Sequence, residues 1–310
     1  MVYTVTLNPS LDKTLSVSEL RLGEVHRAHV LRIDLGGKGV NVSRALQALG
    51  VQNVPLLVVA GRNGRVLQEG LEAAGFHGCY VEIAGETRQN ITLLEHLRGR
   101  YTKINEPGPR LSPSDIRRVE AAVSELTCSD DIWVFSGSLP PGAPIDLYGR
   151  LIRLVQERGG AALLDSSGAA LERGLQAQPF GVKPNSEEAA DLLARSLPDE
   201  EAHIEAVQAL QSRGVKLVGL SRGAEGLVLG YDGQIVSALP PQIPARSPVG
   251  AGDATLAGIV WALVDGCSIR DMARRAVASG AAAAMQEGSG LGSREAVKQL
   301  LRQVQVQQVR

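Results

Sequence analysis

Short apolar runs rich in β-branched residues alternate along this chain with longer stretches whose apolar positions recur every three to four residues. The short runs are Val2–Leu7, Asn53–Val59, Asp131–Ser136, Ala161–Asp165, Leu217–Ser221 and Leu227–Leu229. Bounded by polar turns, they read as buried strands. The helical period occupies Val40–Leu49, Pro113–Leu126, Glu187–Ser196, Glu201–Arg213, Ala254–Asp265, the alanine-rich Ile269–Gln286 and Arg294–Val304. Ser112, Pro113 and Asp115 stand at the N-cap, N1 and N3 positions of the second of these helices. The alternation predicts an α/β protein with a mainly parallel central sheet.

Two segments break the rhythm. Leu15–Ile33 and Gln89–Ile104 alternate with period two and lack helices of their own. Strands that leave a βα rhythm in pairs predict a small separate sheet, a lid over one end of the main body, with its strands at about residues 12–35 and 88–106. With no internal repeat, low-complexity tract or Pro/Gly linker, residues 1–310 read as one domain carrying that insertion.

Composition narrows the functional classes. At 44% hydrophobic the 310 residues can bury a large core, which excludes disorder. The 32 Lys and Arg balance 33 Asp and Glu for a net charge of -1, so there is no basic footprint for nucleic acid. The longest apolar run, Gly258–Val264, falls far short of the roughly 20 residues that span a bilayer. No basic stretch followed by an apolar one opens the chain, so no secretory leader is expected. Cys79, Cys128 and Cys267 are odd in number and widely spaced, and His26, His29, His77, His96 and His203 show no zinc-binding spacing. A soluble cytoplasmic protein without a membrane or nucleic-acid partner is expected.

The strongest local signal is Pro248-Val249-Gly250-Ala251-Gly252-Asp253, directly before a helix. Glycines at a helix start leave backbone N–H groups open, and these with the helix dipole hold an anion. A carboxylate beside such a site repels phosphate but can take a proton from an attacking hydroxyl; the alternative is a tight turn with an N-terminal Asp. Neither a phosphate-binding P-loop nor a dinucleotide fingerprint occurs. Asp34-Leu35-Gly36-Gly37-Lys38-Gly39-Val40-Asn41 and Asn8-Pro9-Ser10-Leu11-Asp12 offer Asp12 and Asn41 as hydroxyl-binding groups suited to a sugar, or are ordinary turns. Arg27, Arg88 and Lys103, with Asn90 and Asn105, would place cations for a substrate phosphate on the lid, or form a solvated face. In Lys183-Pro184-Asn185-Ser186-Glu187, the Asn and Glu could order a hydrated Mg²⁺; Asn185 and Glu188 could equally form a capping box. Ser221-Arg222-Gly223-Ala224-Glu225-Gly226 follows an apolar strand as a ribose- or phosphate-facing turn.

Together TLNPSLDK, GGKGVNVSRAL, GETRQN, INEPGP, SGSLPPG, VKPNSEE, SRGAEG and VGAGD, in this order, resemble the ribokinase-like carbohydrate kinases of the PfkB family over nearly the whole chain. Within that family they are most similar to the branch of 1-phosphofructokinases and tagatose-6-phosphate kinases. The resemblance implies a three-layer sandwich, a central mostly parallel sheet flanked by helices, with a β lid over the sugar site. It implies Asp253 as catalytic base and the amides of Gly250, Ala251 and Gly252 as anion hole. Asp12, Gly37, Lys38, Asn41, Asn90 and Ser138 would hold the sugar, and Arg88 and Lys103 its phosphate. Lys183, Asn185, Ser221, Gly223 and Gly226 would bind ATP, with Mg²⁺ on Glu187 through water.

The implied reaction is ATP-dependent phosphorylation of a ketohexose phosphate, with D-fructose 1-phosphate the expected substrate and fructose 1,6-bisphosphate the product. LGEVHR supports that substrate; Pro248 and GETRQN point instead to tagatose-6-phosphate kinase or a 6-phosphofructokinase of the same family. A catalytically silent sugar-binding regulator and a kinase of unphosphorylated sugars are the competing classes. The lid cations oppose the second, the intact Asp253 the first. A homodimer through the lid is the expected assembly.

Overall fold

The computed structural model describes residues 1–288 and 290–309. From the N-terminus, β1 (Val2–Thr6) leads into β2 (Ser10–Val17) and β3 (His29–Gly36), and α1 (Lys38–Ala48) returns to the main body. β4 (Val54–Ala60), α2 (Gly61–Ala73) and β5 (Cys79–Ile83) precede a hairpin of β6 (Arg88–Glu95) and β7 (Arg100–Asn105). Then come α3 (Pro113–Leu126), β8 (Ile132–Ser136), α4 (Leu147–Glu157), β9 (Ala161–Asp165), α5 (Gly168–Leu175), β10 (Gly181–Val182), α6 (Ser186–Leu193), α7 (Glu200–Gln211) and β11 (Leu217–Ser221). The chain closes with β12 (Leu227–Tyr231), β13 (Gln234–Leu239), α8 (Ala251–Val264), α9 (Ile269–Ala284), α10 (Arg294–Leu301) and β14 (Gln305–Gln308).

A ten-stranded sheet runs in the order β14-β13-β12-β11-β10-β9-β8-β1-β4-β5. From β5 to β11 it is parallel, and β12, β13 and β14 add an antiparallel edge. Central strands covered on both faces need no polar side, which is why β8 reads as the continuous run IWVFS with Trp133 and Phe135 wholly buried. After β1 the chain builds outward through β4 and β5; from β8 it builds the other way. The crevice between β1 and β8 is thus the point where strand order reverses, and such crevices outside the carboxyl ends of strands are where open α/β sheets bind ligands.

One face of the sheet carries α8 and α9. α8 is buried almost all round because Gly258 lies against Ala276 and the Arg275 carbonyl, where a methyl group would meet the Ala276 Cα at 2.7 Å. The alanines of α9 allow this close approach. No helix among the described residues is long and apolar enough to cross a membrane.

The second sheet, β3-β2-β6-β7, is the lid. Its strands begin earlier than the alternation suggested, at Ser10 rather than near Leu15, and a loop of residues 18–28 joins β2 to β3. Register places Asp12 opposite both Asp34 and Asn90, and Asn90 opposite Asn105, so a polar row crosses one face. The next row on the opposite face is Ile33, Lys13, Ile91 and Ile104. At the base of that apolar face Leu35 reaches α2 at Gly70, while Leu11 joins Leu67 and Leu71 in a small core.

Candidate active site

The N-terminus of α1 and that of α8 converge on the crevice, and the tie between them is Asn41. Its Nδ2 donates to Asp253 Oδ2 at 2.8 Å. Gly37, the α1 N-cap at φ 119, lies against Thr6 and Pro9, which leaves no room for a side chain there. α8 is capped by Gly250 in the left-handed region, so the amides at its first turn have no side-chain cap. Asp253 sits in that turn only 7% exposed. Burial, and then the negative charge of Asp165, push its carboxyl up to about 6, against the opposing pull of the Asn41 hydrogen bond, Lys38 and Lys183.

Asp165 ends β9 and is 1% exposed. Its Oδ1 accepts from Lys38 Nζ at 3.0 Å, and Lys183 Nζ stands 3.4 Å from Oδ2, an ion-pair distance without a hydrogen bond. Burial alone would lower the Lys38 ammonium, but Asp165, then Glu188 and Asp253, outweigh it and hold it raised. One buried carboxylate therefore fixes a lysine from the sugar-side loop and a lysine from the KPN turn at the seam between them. The Lys183 ammonium also passes Gly252, 3.6 Å from where a Cβ would stand, so it borders the first turn of α8.

The lid closes the other side. Asp12 accepts from Ser10 Oγ at 2.7 Å and Asn90 Nδ2 at 2.9 Å, and it packs on Gly36 so closely that a methyl group there would strike its carboxylate. Asn8 crosses the crevice, donating to the Pro107 carbonyl at 3.1 Å and Ser138 Oγ at 3.4 Å. Asn8 Oδ1, Asn41 Oδ1 and Asn90 Oδ1 are buried acceptors with no partner, the state expected of groups that await a hydroxylated ligand.

The cations divide. Arg88 lies beside Asn8, and its guanidinium donates to the carbonyls of Asn8 at 2.9 Å and Glu106 at 3.1 Å, leaving Nε buried and unpartnered. Lys103 is exposed, opposite Thr92 and so two residue pairs farther out than Asn90, with Nζ 5.6 Å from the Tyr101 ring centre. Arg27 is exposed in the β2–β3 loop and does not lie on the lid sheet.

On the nucleotide side, Asn185 caps α6 in a capping box with Glu188, each side chain bonded to the other's amide. Glu187 is exposed, whereas its neighbour Glu188 stands near enough to Lys38 to raise it. Ser221 pairs with Asn185 as a bridge beside that turn. Gly223 opens the short turn to β12 with free space above it, but Gly226 lies against the Ala238 carbonyl, so hairpin geometry explains it without a ligand. Sequence reasoning did not single out Asp165, Glu188 or Asn8 as site residues; for Asp165 the available signal is the lone acid that closes the apolar run AALLD of β9. Two surface cavities of about 440 and 380 Å³, between α3 and α4 and at the amino ends of β9 to β11, lie away from these groups.

A buried carboxylate at a helix N-terminus without a side-chain cap, lysines at the seam and unpartnered amide oxygens beside the lid form an arrangement suited to phosphoryl transfer. The chain belongs to the pfkB family of carbohydrate kinases, whose model matches residues 5–296. It is 36% identical over 309 residues to 1-phosphofructokinase of Vibrio cholerae, covering 98% of this chain and 96% of that one. To tagatose-6-phosphate kinase of Staphylococcus epidermidis it is 30% identical over 312 residues, the full length of both. Phosphofructokinase-2 from Escherichia coli in complex with fructose-6-phosphate superposes with a TM-score of 0.91 at 30% identity, over 97% of this chain and 98% of that one. The protein is a sugar-phosphate kinase with ATP as co-substrate.

Proposed function

We propose that the chain phosphorylates D-fructose 1-phosphate to fructose 1,6-bisphosphate. The observation that carries the mechanism is Asp253, buried, oriented by Asn41 and placed in the uncapped first turn of α8. The 6-hydroxyl attacks the γ-phosphorus of ATP; the new O–P bond forms as the bond to ADP breaks, and the hydroxyl proton passes to the Asp253 carboxylate. The amides of Gly250, Ala251 and Gly252 receive the transferred group's oxygens, and Lys183 and Lys38 offset its charge. Such a reaction depends on positioning and charge stabilisation more than on covalent participation by the protein.

Asp12, Asn90, Asn41, Gly37 and Ser138 bind the sugar, and Arg88 with Lys103 its phosphate. Asn185, Ser221 and Gly223 border the nucleotide. No set of three or more His, Cys, Asp or Glu side chains able to cage a metal occurs among the described residues, and Mg²⁺, which keeps several waters, needs none. Asp165, whose buried Oδ2 has no hydrogen-bond donor, and Glu188 suit it. With ATP bound, Mg²⁺ held by these two carboxylates would supply charge neutralisation for the phosphates.

Identity favours fructose 1-phosphate, at 36% against 30% for the tagatose-6-phosphate kinase relative. A 6-phosphate substrate is the second reading, favoured by Pro248. We place the enzyme in the cytoplasm as a homodimer joined through its lids. ADP release with Mg·ATP against fructose 1-phosphate, tagatose 6-phosphate, fructose 6-phosphate and free fructose tests the assignment. Preference for a 6-phosphate would keep the mechanism and change the substrate; no turnover with any of them would overturn both.

A further inference from the structure

Arg32 and Asp34 alternate on β3 and so share the lid face that carries Asp12. Arg32 Nε stands 2.8 Å from Asp34 Oδ2, an ion pair without a hydrogen bond that holds the inner end of the guanidinium beside the carboxylate. The outer end leaves the lid. It rests on the backbone of Gly288, in the turn after α9, where any side chain would collide with it.

Gly288 is itself tied to the phosphoryl side. Its carbonyl accepts from Ser247 Oγ at 3.0 Å, and the same hydroxyl accepts from the Val249 amide at 3.2 Å. The amides of Arg246 and Ser247 both bond the Ala284 carbonyl, at 2.8 and 3.1 Å, so residues 246–249 are moored to the end of α9. Val249 immediately precedes Gly250, the cap of α8. A continuous chain of contacts therefore runs from the sugar-side row on the lid, through Arg32 and Gly288, to the backbone that presents the anion-hole amides.

Resting on the reading of this site as a sugar-phosphate kinase, we propose that Arg32 is a positioning residue that seats the lid on the 287–288 turn. By doing so it makes sugar-phosphate binding and nucleotide binding mutually reinforcing. A guanidinium suits the task because it is planar, always ionised and able to keep Asp34 at one edge while its flat body lies on a peptide. A ligand ordered by the lid row orders Asp34 and Arg32 with it. The conformational freedom lost in seating the lid is then lost once for both ligands, so each binds more tightly in the presence of the other, by the same factor in either direction. Gly288, at φ 62, is the complementary half of the device: it supplies both the left-handed turn and the bare backbone on which Arg32 lies.

The test is calorimetric titration of the Mg²⁺ complex of the β,γ-imido analogue of ATP, with and without saturating fructose 1-phosphate. Tagatose 6-phosphate and fructose 6-phosphate are run in parallel. The native enzyme should bind the analogue roughly 5- to 150-fold more tightly when its preferred sugar phosphate is present, the usual span of such coupling. Arg32→Ala should bring the ratio to about 1 while leaving affinity for the analogue alone within about twofold, because Arg32 is not part of the nucleotide site. Arg32→Lys should restore little of it, since an ammonium cannot lie flat on the turn while holding Asp34. Gly288→Ala, which attacks the same contact from the opposite side, should lose the coupling as well. A native ratio of about 1, or a ratio unchanged in Arg32→Ala, would overturn the role of Arg32 even if turnover is normal. Failure of native enzyme to bind any of the three sugar phosphates would instead overturn the functional reading beneath it.

Discussion

Asn41 and Asp253 lie 212 positions apart in the chain and share one hydrogen bond of 2.8 Å, from Nδ2 to Oδ2. That bond decides which oxygen of the carboxylate is held and which is free to face an acceptor hydroxyl. Asp253→Asn keeps the shape and removes the base, so kcat should fall by roughly 10²- to 10⁴-fold, the usual worth of a positioned general base. Binding of an ATP analogue should persist. A variant turning over at the native rate would remove Asp253 from the mechanism.

Asn41→Leu should act differently. The hydrogen bond opposes the upward displacement of the Asp253 carboxyl. Without it the carboxyl rises further, and the acid limb of kcat/KM should move to higher pH. Asn41 Oδ1, buried without a partner, is also the proposed acceptor for the sugar, so KM for the sugar should rise in the same variant. A limb that stays in place would mean that Asn41 serves the sugar alone.

The pH profile of the native enzyme follows from the same group. Asp253 is protonated, and useless as a base, below its raised value of about 6, and ionised above it. The free-enzyme parameter kcat/KM should therefore fall about tenfold per pH unit below that value and level off above it. Asp165→Asn removes the negative charge that, after burial, raises Asp253 and leaves the two lysines that lower it. Its acid limb should shift to lower pH, while its maximal rate drops because Lys38 and Lys183 lose their anchor. An unshifted limb would show that burial alone sets the base.

Much of this is legible in the sequence because strands covered on both faces are written as plain apolar runs: β9 and β11 read at their observed bounds, and β8 to within a residue. α2 was missed for a physical reason. Its segment GRNGRVLQEGLEA contains three glycines that lower apparent helix propensity, two of them required by packing, Gly64 against Val59 and Thr87 and Gly70 against Leu35. α4, with Leu147, Leu151 and Val155 buried at four-residue spacing, carried its signal openly and was passed over. At the site, the glycine-rich turns and Asp253 announce themselves, because few other uses combine those residues before a helix. Asp165 and Glu188 do not: an acid at a strand end or in a helix's first turn is commonplace, and only the folded chain brings both to Lys38. Arg88 illustrates the reverse, a cation proposed for the substrate phosphate whose donors are partly committed to the carbonyls of Asn8 and Glu106.

That commitment shapes two further expectations on the sugar side. Arg88→Ala should raise KM for the phosphorylated sugar by roughly 10- to 150-fold, corresponding to about 1.5–3 kcal/mol for a charge-assisted contact. It should also lower thermal stability, because two carbonyls lose a donor. Lys103→Met, at an exposed position, should change KM far less. Gly36→Ala, which drives a methyl group into Asp12 and Ser10, should raise KM for the sugar phosphate and leave KM for ATP unchanged. Equal losses on both substrates would mean that Gly36 supports the fold of the lid base and not the sugar site in particular.

The lid's other face bears on assembly. Ile33 and Ile104, in one row with Ile91, are 56% and 52% exposed, and Val30 and Leu93 lie in the next row. β3 and β7 are also the free edges of the four-stranded sheet. An apolar face flanked by open edges invites association with a matching surface, and a second copy of this lid offers one related by a twofold axis. The native protein should therefore run in light scattering at twice the chain mass of 32.7 kDa. Ile33→Glu combined with Ile104→Glu should yield monomers, because charges placed on that face cannot be buried without partners. The double variant should keep its fold, since both side chains are already half exposed and neither belongs to the core. A native protein that is monomeric at the concentrations of the assay, or a double variant that stays dimeric, would exclude this face as the interface.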